Sequence, residues 1–266
     1  MKRPLNQLAE IAQKAVQLGG KQVRNTRPQA ITEKSDRDVF TDVDIRIERG
    51  IRDYLARATP EIGFVGEEEG TSGTAASDGH YWALDPIDGT SNFSHGIPLC
   101  AVQLALIESD EALVAAISLP FLDLNYWATK GGGAYANGVR MRASGTTDVA
   151  RAIVSIGDYA TGEGAAQKNE QRIRLTAALA ERVERVRMFG SAAHDLAWVA
   201  EGRIDATLIL SNNVLDIAGG VLIAREAGAT VVDAAGRQHT FDSLETLAGS
   251  EELLRKLLPL VRERNI

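Results

Sequence analysis

Asp85-Pro86-Ile87-Asp88-Gly89-Thr90 follows directly on residues 81–84, an apolar stretch typical of a buried strand. Pro86 fixes the backbone φ angle between the two aspartates, and Gly89 permits another group to approach the backbone closely. A loop that is merely solvated needs no such order of residues. The stretch therefore predicts a tight turn that ends a buried strand and holds two carboxylates in a defined arrangement.

A second acidic stretch, Glu67-Glu68-Glu69, also follows a predicted strand. No lysine or arginine occurs between Arg57 and Lys130, so the charge of these carboxylates has to be compensated by residues distant in sequence or by bound cations. Carboxylate oxygens suit Mg²⁺, with Mn²⁺ as a substitute. The two stretches together predict a cation site, whereas Glu67-Glu68-Glu69 alone is equally typical of a solvated surface.

The composition is that of an ordinary globular protein. The chain has 266 residues, of which 44% are hydrophobic and 24% charged, and its formal net charge is −7. This acidic balance argues against a general nucleic-acid binder and a polybasic membrane-surface protein, because both need a cationic surface. The single cysteine, Cys100, lies in an apolar stretch, and no run is typical of a secretion signal or a membrane span. We therefore expect a soluble, cytoplasmic protein.

The apolar spacing outside the acidic stretches predicts a layered α/β architecture. The predicted helices cover residues 5–23, 165–180, 192–201, 217–227 and 251–262, and a further helix ends at residue 57, with Asp42 or Asp44 as its N-cap and Glu48 on its outer face. The predicted strands cover residues 62–65, 81–84, 101–107, 113–119, 152–156, 186–189, 204–210 and 230–232, with a hairpin turn at Asn137-Gly138. Two lobes are expected, over residues 1–145 and 146–266.

Three motifs resemble those of the inositol monophosphatase family in order and separation. They are Gly66-Glu67-Glu68, the nine residues from Asp85 to Phe93, and Asp216-Ile217-Ala218-Gly219-Gly220 with Glu226-Ala227-Gly228. Further similarity at residues 34–44 and at Gly190-Ser191-Ala192 extends over almost the whole chain. The resemblance implies a five-layered αβαβα sandwich, assembled as a homodimer. It also implies an enzyme that hydrolyses a small polyol or sugar phosphate with Mg²⁺ and is inhibited by Li⁺.

The same resemblance implies which residues hold the metal ions. Glu67, Asp85 and the carbonyl group of Ile87 hold the first Mg²⁺. Asp85, Asp88 and Asp216 hold the second, and Glu67 with waters and the phosphate holds a weaker third. Two metals about 3.5–4 Å apart can bind both the attacking and the leaving oxygen of an in-line displacement.

The family's nucleophile is a metal-activated water that is oriented by a threonine–aspartate pair, here matched by Thr90 and Asp44. A threonine alone cannot act as a base, so the metal lowers the pKa of the water while the pair orients it. The catalytic residues implied are thus Thr90, Asp44 and Glu67, and Glu68 matches a position that steers the metal ligands. The residues implied in phosphate or substrate binding are Asp88, Gly89, Thr90, Gly190, Ser191, Ala192 and Asp216.

Residues 34–38 match a mobile loop over the family's active site. The resemblance implies that Lys34 and Asp38 belong to this loop and that Asp38 contacts the weakly held metal. The alternative for Lys34 and Asp38 is an exposed salt pair, which contributes little to stability.

The substrate is less well determined than the chemistry. Members of the family that hydrolyse inositol phosphate carry an acidic residue seven positions before the last metal-binding aspartate, and this position is Ile209 here. Leu215 replaces the usual tryptophan, and residues 211–213 offer polar side chains from shifted positions. Histidinol phosphate, fructose-1,6-bisphosphate and 3′-phosphonucleotides therefore stay open as substrates. A regulatory protein-binding role is the alternative of a different class, but the complete set of predicted ligands favours an enzyme.

Other residues of catalytic type are assigned structural roles. Ser191, His194 and Asp195 are the residue types of a hydrolytic triad, but their spacing at a helix start is typical of capping and of a surface face. The four histidines lack the spacing of a zinc site. These residues predict no second catalytic centre.

Overall fold

The computed structural model describes residues 3–72 and 79–263; the side chains of Asp38, Ser72 and Glu263 lie outside this description. The described helices are α1 (Leu5–Asn25), α2 (Asp42–Ala58), α3 (Thr90–Ser94), α4 (Ala165–Ala180), α5 (Ala192–Glu201), α6 (Val214–Glu226) and α7 (Glu251–Glu263). The described strands are β1 (Ile31–Ser35), β2 (Asp38–Thr41), β3 (Gly63–Gly66), β4 (Gly70–Ser72), β5 (His80–Asp88), β6 (Ala101–Glu108), β7 (Glu111–Leu119), β8 (Leu124–Thr129), β9 (Gly133–Ala136), β10 (Val139–Arg140), β11 (Ile153–Ile156), β12 (Arg185–Arg187), β13 (Ala206–Ile209), β14 (Thr230–Val232) and β15 (Thr246–Gly249).

The strands form two large sheets and one separate hairpin. The first sheet has eight strands in the order β10-β9-β8-β7-β6-β5-β3-β4, and only β3 and β5 pair in parallel. The second has five strands in the order β12-β11-β13-β15-β14, with β11 parallel to both of its neighbours. Strands β1 and β2 form the hairpin. The edge of the first sheet at which β3 and β5 end is therefore the place where their acidic residues meet.

Helices cover both faces of both sheets, which gives five layers. Helices α1 and α2 pack on the outer face of the first sheet, α5 and α6 lie between the two sheets, and α4 and α7 cover the second sheet. Alternate residues of β6 enter different cores, since Leu104 faces α1 and α2 whereas Ala105 faces α5 and α6. All residues of α6 from Ile217 to Ala224 are buried because this helix has a sheet on each side. The predicted five-layered αβαβα sandwich is confirmed.

Most predicted elements are present, and the differences have local causes. The prediction missed β1 because all five of its residues are exposed, so that no alternation of apolar and polar side chains marks it. The placement of Glu48 on an outer face of α2 is wrong, since this side chain has 0% exposure. The division into lobes at residue 145 stays a prediction, and α6 packs on the sheet of the N-terminal stretch. None of the helices described is long and apolar enough to span a bilayer.

Candidate active site

Three acidic side chains meet at the edge where β3 and β5 end. Glu67 follows β3, Asp85 lies in β5, and Asp216 is in the first turn of α6. Each of them offers a carboxylate oxygen, and these oxygens all lie within 4.8 Å of one another. Because β3 and β5 are parallel neighbours, with Gly66 opposite Leu84, their carboxyl ends carry both acids to the same point. The structure thus brings together three of the residues that the sequence predicts as metal ligands.

The predicted tight turn between Asp85 and Asp88 is a bulge inside β5. Strand β6 pairs on both sides of it, with Asp85 opposite Gln103 and Asp88 opposite Ala101, so β5 holds one extra residue there. Pro86 is tolerated because a bulge needs no hydrogen bond from its missing N–H group. The carboxylate of Asp85 accepts a hydrogen bond from the Ile87 N–H group at 3.0 Å. The bulge turns the two aspartates toward different partners.

The electrostatics of this cluster favour a bound cation. Burial raises the pKa of Asp85 well above its usual range, and the nearby charges of Glu67, Asp88 and Asp216 raise it further. Burial likewise raises the pKa of Asp88 to about 6. A buried carboxylate surrounded by like charges is costly in the ionised form unless a cation neutralises it. Oxygen donors of this kind fit Mg²⁺ or Mn²⁺, so the residues present suit a divalent metal.

Asp88 links the cluster to the N-terminus of α5. Its Oδ2 atom accepts hydrogen bonds from the Ser191 hydroxyl group, at 2.9 Å, and from the Ala193 N–H group. Gly89 has a φ angle of +88°, and a Cβ atom there would lie 3.0 Å from the carbonyl oxygens of Gly190 and Leu99. A larger residue at position 89 is therefore excluded by both conformation and space. These hydrogen bonds occupy Oδ2 of Asp88, and its role as a metal ligand stays a prediction.

Thr90 and Asp44 are paired as the resemblance implies. The hydroxyl oxygen of Thr90, the first residue of α3, lies 3.2 Å from Asp44 Oδ1 and 2.9 Å from the carbonyl oxygen of Ile87. Asp44 is buried, and burial raises the pKa of its carboxyl group. Its Oδ2 atom accepts hydrogen bonds from the hydroxyl and the N–H group of Thr41.

The N-cap of α2 is Thr41, so its assignment to Asp42 or Asp44 is wrong. The Thr41 hydroxyl oxygen accepts a hydrogen bond from the Val43 N–H group, and the Asp44 carboxylate accepts one from the Thr41 N–H group. This pair of hydrogen bonds forms a capping box. The sequence carries this capping-box signal in Thr41 and Asp44, three residues apart. It was missed because Asp42 and Asp44 are themselves residue types that often cap helices. As a result, one oxygen of Asp44 is used for capping and the other faces Thr90.

The comparison with known proteins agrees with this geometry. Residues 4–265 match the model of the inositol monophosphatase family. The chain belongs to this family. It is 35% identical over 259 residues to an inositol-1-monophosphatase of Mesorhizobium japonicum, with 97% of this chain and 96% of that protein covered. It is 32% identical over 202 residues to a fructose-1,6-bisphosphatase/inositol-1-monophosphatase of Thermotoga maritima, with 76% of this chain and 74% of that protein covered.

The family's fold is also found by structural superposition. The crystal structure of the extragenic suppressor protein suhB from Bartonella henselae matches with a TM-score of 0.89 at 29% identity, covering 96% of this chain and 98% of that one. Membership makes this chain a phosphoric monoester hydrolase of a metal-dependent family.

Lys34 lies over the acidic cluster of this family member. Its Nζ atom is 2.7 Å from Glu67 Oε1 and 2.6 Å from Glu68 Oε1, and 24% of its side chain is exposed. Burial raises the pKa of Glu68 to about 7, against the effect of Lys34. Lys34 thus forms salt pairs with two of the glutamates that follow β3, and its role in the site stays a prediction. The side chain of Asp38 lies outside the described residues.

A cavity of about 360 Å³ opens beside Asp88 and Asp216. Residues with functional groups that line it are Asp158, Tyr159, Thr161, Lys168, Arg172, Ser191, Asp195 and Ser211. Ile209 also lines it and is 5% exposed, so this position is apolar wall. Asn212 binds the carbonyl oxygen of Ser243 at 2.7 Å and the hydroxyl group of Thr246 at 2.9 Å. Asn213 is the N-cap of α6, so only Ser211 of residues 211–213 faces the cavity.

Helix α5 corrects one prediction and confirms another. Ser191 is its N-cap and accepts a hydrogen bond from the His194 N–H group at 3.2 Å, as predicted. The surface face is wrong, since His194 and Asp195 are 0% and 1% exposed. Helix α5 lies between the two sheets, so both of its faces are covered. The amino-acid pattern of this short helix does not show that a second sheet is present. Arg172 and Lys168, which line the cavity from α4, were missed because no motif marks them.

Proposed function

We propose that this chain is a Mg²⁺-dependent phosphomonoesterase that hydrolyses a small polyol or sugar phosphate of the inositol-1-phosphate type. The observation that carries the proposal is the meeting of Glu67, Asp85 and Asp216 beside the Thr90–Asp44 pair at one end of a cavity. A cavity of about 360 Å³ accommodates a small phosphate ester. The names of the relatives from Mesorhizobium japonicum and Thermotoga maritima support the same substrate class.

The metal sites follow the resemblance. Glu67, Asp85 and the Ile87 carbonyl group hold one Mg²⁺, Asp85, Asp88 and Asp216 a second, and Glu67 a weaker third. Bound Mg²⁺ neutralises the phosphoryl oxygens, lowers the pKa of water and supports the leaving oxygen. Mn²⁺ is expected to substitute, and Li⁺ to inhibit. The Lys34 ammonium group binds the carboxylates of both Glu67 and Glu68, and this bridge would hold Glu67 in position.

The Thr90–Asp44 pair orients the attacking water. The Thr90 hydroxyl group has two acceptors within reach, Asp44 Oδ1 at 3.2 Å and the Ile87 carbonyl oxygen at 2.9 Å, and donating to either leaves the lone pairs of its oxygen to accept a hydrogen bond from water. Thr41 fixes Asp44 through its Oδ2 atom, so Oδ1 keeps its position beside Thr90. The pair would thereby orient the water for in-line attack, and the metal would lower its pKa.

Backbone N–H groups bind the phosphate and the substrate. Gly89 and Thr90 stand at the start of α3, where unpaired N–H groups favour an anion. Gly190, Ser191 and Ala192, at the start of α5, line the cavity, and Gly89 packs against Gly190. Asp88 and Asp216 complete the contacts to the ester.

A sugar bisphosphate is a second candidate substrate. Lys168 and Arg172 line the same cavity as the metal ligands Asp88 and Asp216. Two cations there can bind a second phosphate group, whereas a polyol offers them only hydroxyl groups. The name of the Thermotoga maritima relative, which includes fructose-1,6-bisphosphatase, supports this candidate. Histidinol phosphate and 3′-phosphonucleotides remain alternatives.

Phosphate release from a panel of esters tests the proposal. The panel contains inositol 1-phosphate, fructose-1,6-bisphosphate, histidinol phosphate and a 3′-phosphonucleotide, each with Mg²⁺, with Mn²⁺ and with excess chelator. We expect turnover with Mg²⁺, none with chelator, and a kcat at least ~10²-fold lower for Asp88→Asn, the scale of a preorganised electrostatic contact. Undiminished turnover in chelator refutes the metal mechanism. Failure to hydrolyse any ester favours a regulatory protein-binding role instead. The homodimer and the cytoplasmic location stay predictions.

A further inference from the structure

Glu48 is a buried carboxylate that the proposed chemistry does not use. It lies on α2, four residues after Asp44, with 0% exposure. Its Oε2 atom accepts a hydrogen bond from the Glu68 N–H group at 2.8 Å, and its Oε1 atom accepts one from the Glu69 N–H group at 3.0 Å. These are the two peptide groups directly after Glu67. A charged acceptor therefore fixes the backbone next to a proposed metal ligand.

The residue before Glu67 is shaped to the same carboxylate. A Cβ atom on Gly66 would lie 2.2 Å from Glu48 Cδ and 2.3 Å from Glu48 Oε1, far inside contact distance. Gly66 is thus required by space, since the Glu48 side chain occupies the place of a larger residue. Glu48 therefore contacts the backbone on both sides of Glu67.

Arg52 compensates the buried charge of Glu48, and Arg49 pairs with the neighbouring Glu69. Arg52, one turn further along α2, forms an ion pair with Glu48 and places its Nη1 atom 2.8 Å from Glu69 Oε2. Arg49 Nη2 lies 2.6 Å from Glu69 Oε1. The carboxylate of Glu48 is therefore paired and hydrogen-bonded, which is the condition for keeping it ionised in the interior.

We propose that Glu48 is a positioning residue for the metal site, which holds residues 66–69 so that Glu67 faces Asp85 and Asp216. This role rests on the proposed function, because it assumes that Glu67 binds the metal. Asp44 and Glu48 lie one helical turn apart on the same side of α2. One rigid helix thereby fixes both the partner of Thr90 and the loop of Glu67, and a shift of α2 would move both together.

Glu48→Gln tests this role, with Glu226→Gln as a matched control. The single amide oxygen of glutamine can accept only one of the two N–H groups, and its NH₂ group opposes the other. Glu226 also accepts hydrogen bonds from two backbone N–H groups, those of Gly131 at 2.7 Å and Gly133 at 2.8 Å, but it lies outside the metal cluster. Both variants lose hydrogen bonds from two backbone N–H groups, and Glu226 is the less buried of the two residues.

The measurement is Mn²⁺ binding to the substrate-free protein, by calorimetry or by the electron paramagnetic resonance signal of free Mn²⁺. Thermal unfolding in chelator is measured alongside. We expect Glu48→Gln to weaken Mn²⁺ binding about 10- to 100-fold, the range for groups that orient metal ligands, and Glu226→Gln to leave it unchanged. Saturating Mg²⁺ should then restore most of the kcat of Glu48→Gln.

Unchanged Mn²⁺ affinity in Glu48→Gln, with a loss of thermal stability equal to that of Glu226→Gln, overturns the role and leaves Glu48 as a structural residue. If Glu48→Gln does not fold, Gly66→Ala replaces it, because the added Cβ atom would push the Glu48 carboxylate away from residues 68 and 69. The same change in Mn²⁺ affinity is then expected, and its absence overturns the role. If the wild-type protein does not bind Mn²⁺, the proposed metal site itself is refuted. The wild-type measurement alone therefore separates failure of the proposed function from failure of the role of Glu48.

Discussion

Thr90→Ala removes the hydroxyl group that lies 3.2 Å from Asp44 Oδ1 and 2.9 Å from the Ile87 carbonyl oxygen. Asp44 stays in place, because its Oδ2 atom keeps both hydrogen bonds from Thr41. One of the three hydrogen bonds to this buried carboxylate is therefore lost. A hydrogen bond to a charged group contributes about 1.5–3 kcal/mol, and we expect the free energy of unfolding in chelator to fall by that amount.

The kinetic effect should be larger and confined to kcat. The hydroxyl group acts on the attacking water and not on the bound ester, so kcat should fall about 10²- to 10⁴-fold, the range for positioned proton-transfer groups, with KM nearly unchanged. Asp44→Asn should lose a similar factor, since the single oxygen of the amide cannot serve both Thr41 and Thr90. The double variant should lose little more than either single one, because the two residues act as a unit.

The assay is phosphate release at saturating Mg²⁺, with unfolding of each variant measured alongside. Thr59→Ala is the matched control: Thr59 is also buried and bound, to Trp82 Nε1 at 3.0 Å and to the Leu55 carbonyl group at 3.1 Å, but at the far end of α2. It should lose stability and keep kcat. Losses of kcat that multiply in the double variant would refute the pairing, and a raised KM with kcat preserved would move Thr90 to substrate binding.

Two further perturbations test the cavity and the middle layer. Ile209→Glu adds a carboxylate that can accept a hydrogen bond from a substrate hydroxyl group, worth about 1.5–3 kcal/mol. The kcat/KM for inositol 1-phosphate relative to that for fructose-1,6-bisphosphate should therefore rise roughly ten- to hundredfold. An unchanged ratio would show that position 209 does not face the substrate. Burial lowers the pKa of His194 from 6.5 to about 4. In urea unfolding, the stability of the wild-type protein relative to His194→Phe should therefore be constant above about pH 7 and fall by up to about 3 kcal/mol as the pH drops from 6.5 toward 4. Parallel pH profiles of the two proteins would refute this.

Acidic residues of the cluster could be predicted from short motifs in the sequence. Asp85 and Asp88 lie in one motif, and Glu67 follows a strand that ends at the same sheet edge. Ile209 could be singled out from its distance to Asp216, which needs no knowledge of the fold, and the structure places it in the cavity wall. These residues are fixed by local order along the chain.

Residues whose role depends on a distant partner could not be predicted. Glu48 has charged neighbours on α2 at positions 46, 49 and 52, so helical spacing alone places it in solvent. The structure buries it because its partners are backbone N–H groups of residues 68 and 69, which leave no trace in side-chain chemistry. Asp195 was misplaced for a similar reason, because a second sheet covers the face that the pattern leaves open.

The cation-free stretch from residue 58 to residue 129 acquires its meaning from the way the charges are paired. Cations from earlier in the chain pair with acids away from the cluster, as Arg24 does with Asp123 and Arg49 with Glu69. Of the three acids in the cluster, Glu67 has an ion pair of this kind, with Lys34. Asp85 and Asp88 instead receive hydrogen bonds from groups without net charge, the N–H groups of Ile87 and Ala193. Such dipoles orient a carboxylate without neutralising it, so the negative field remains where the cavity begins. The divalent cation of the proposed function would supply the missing charge there.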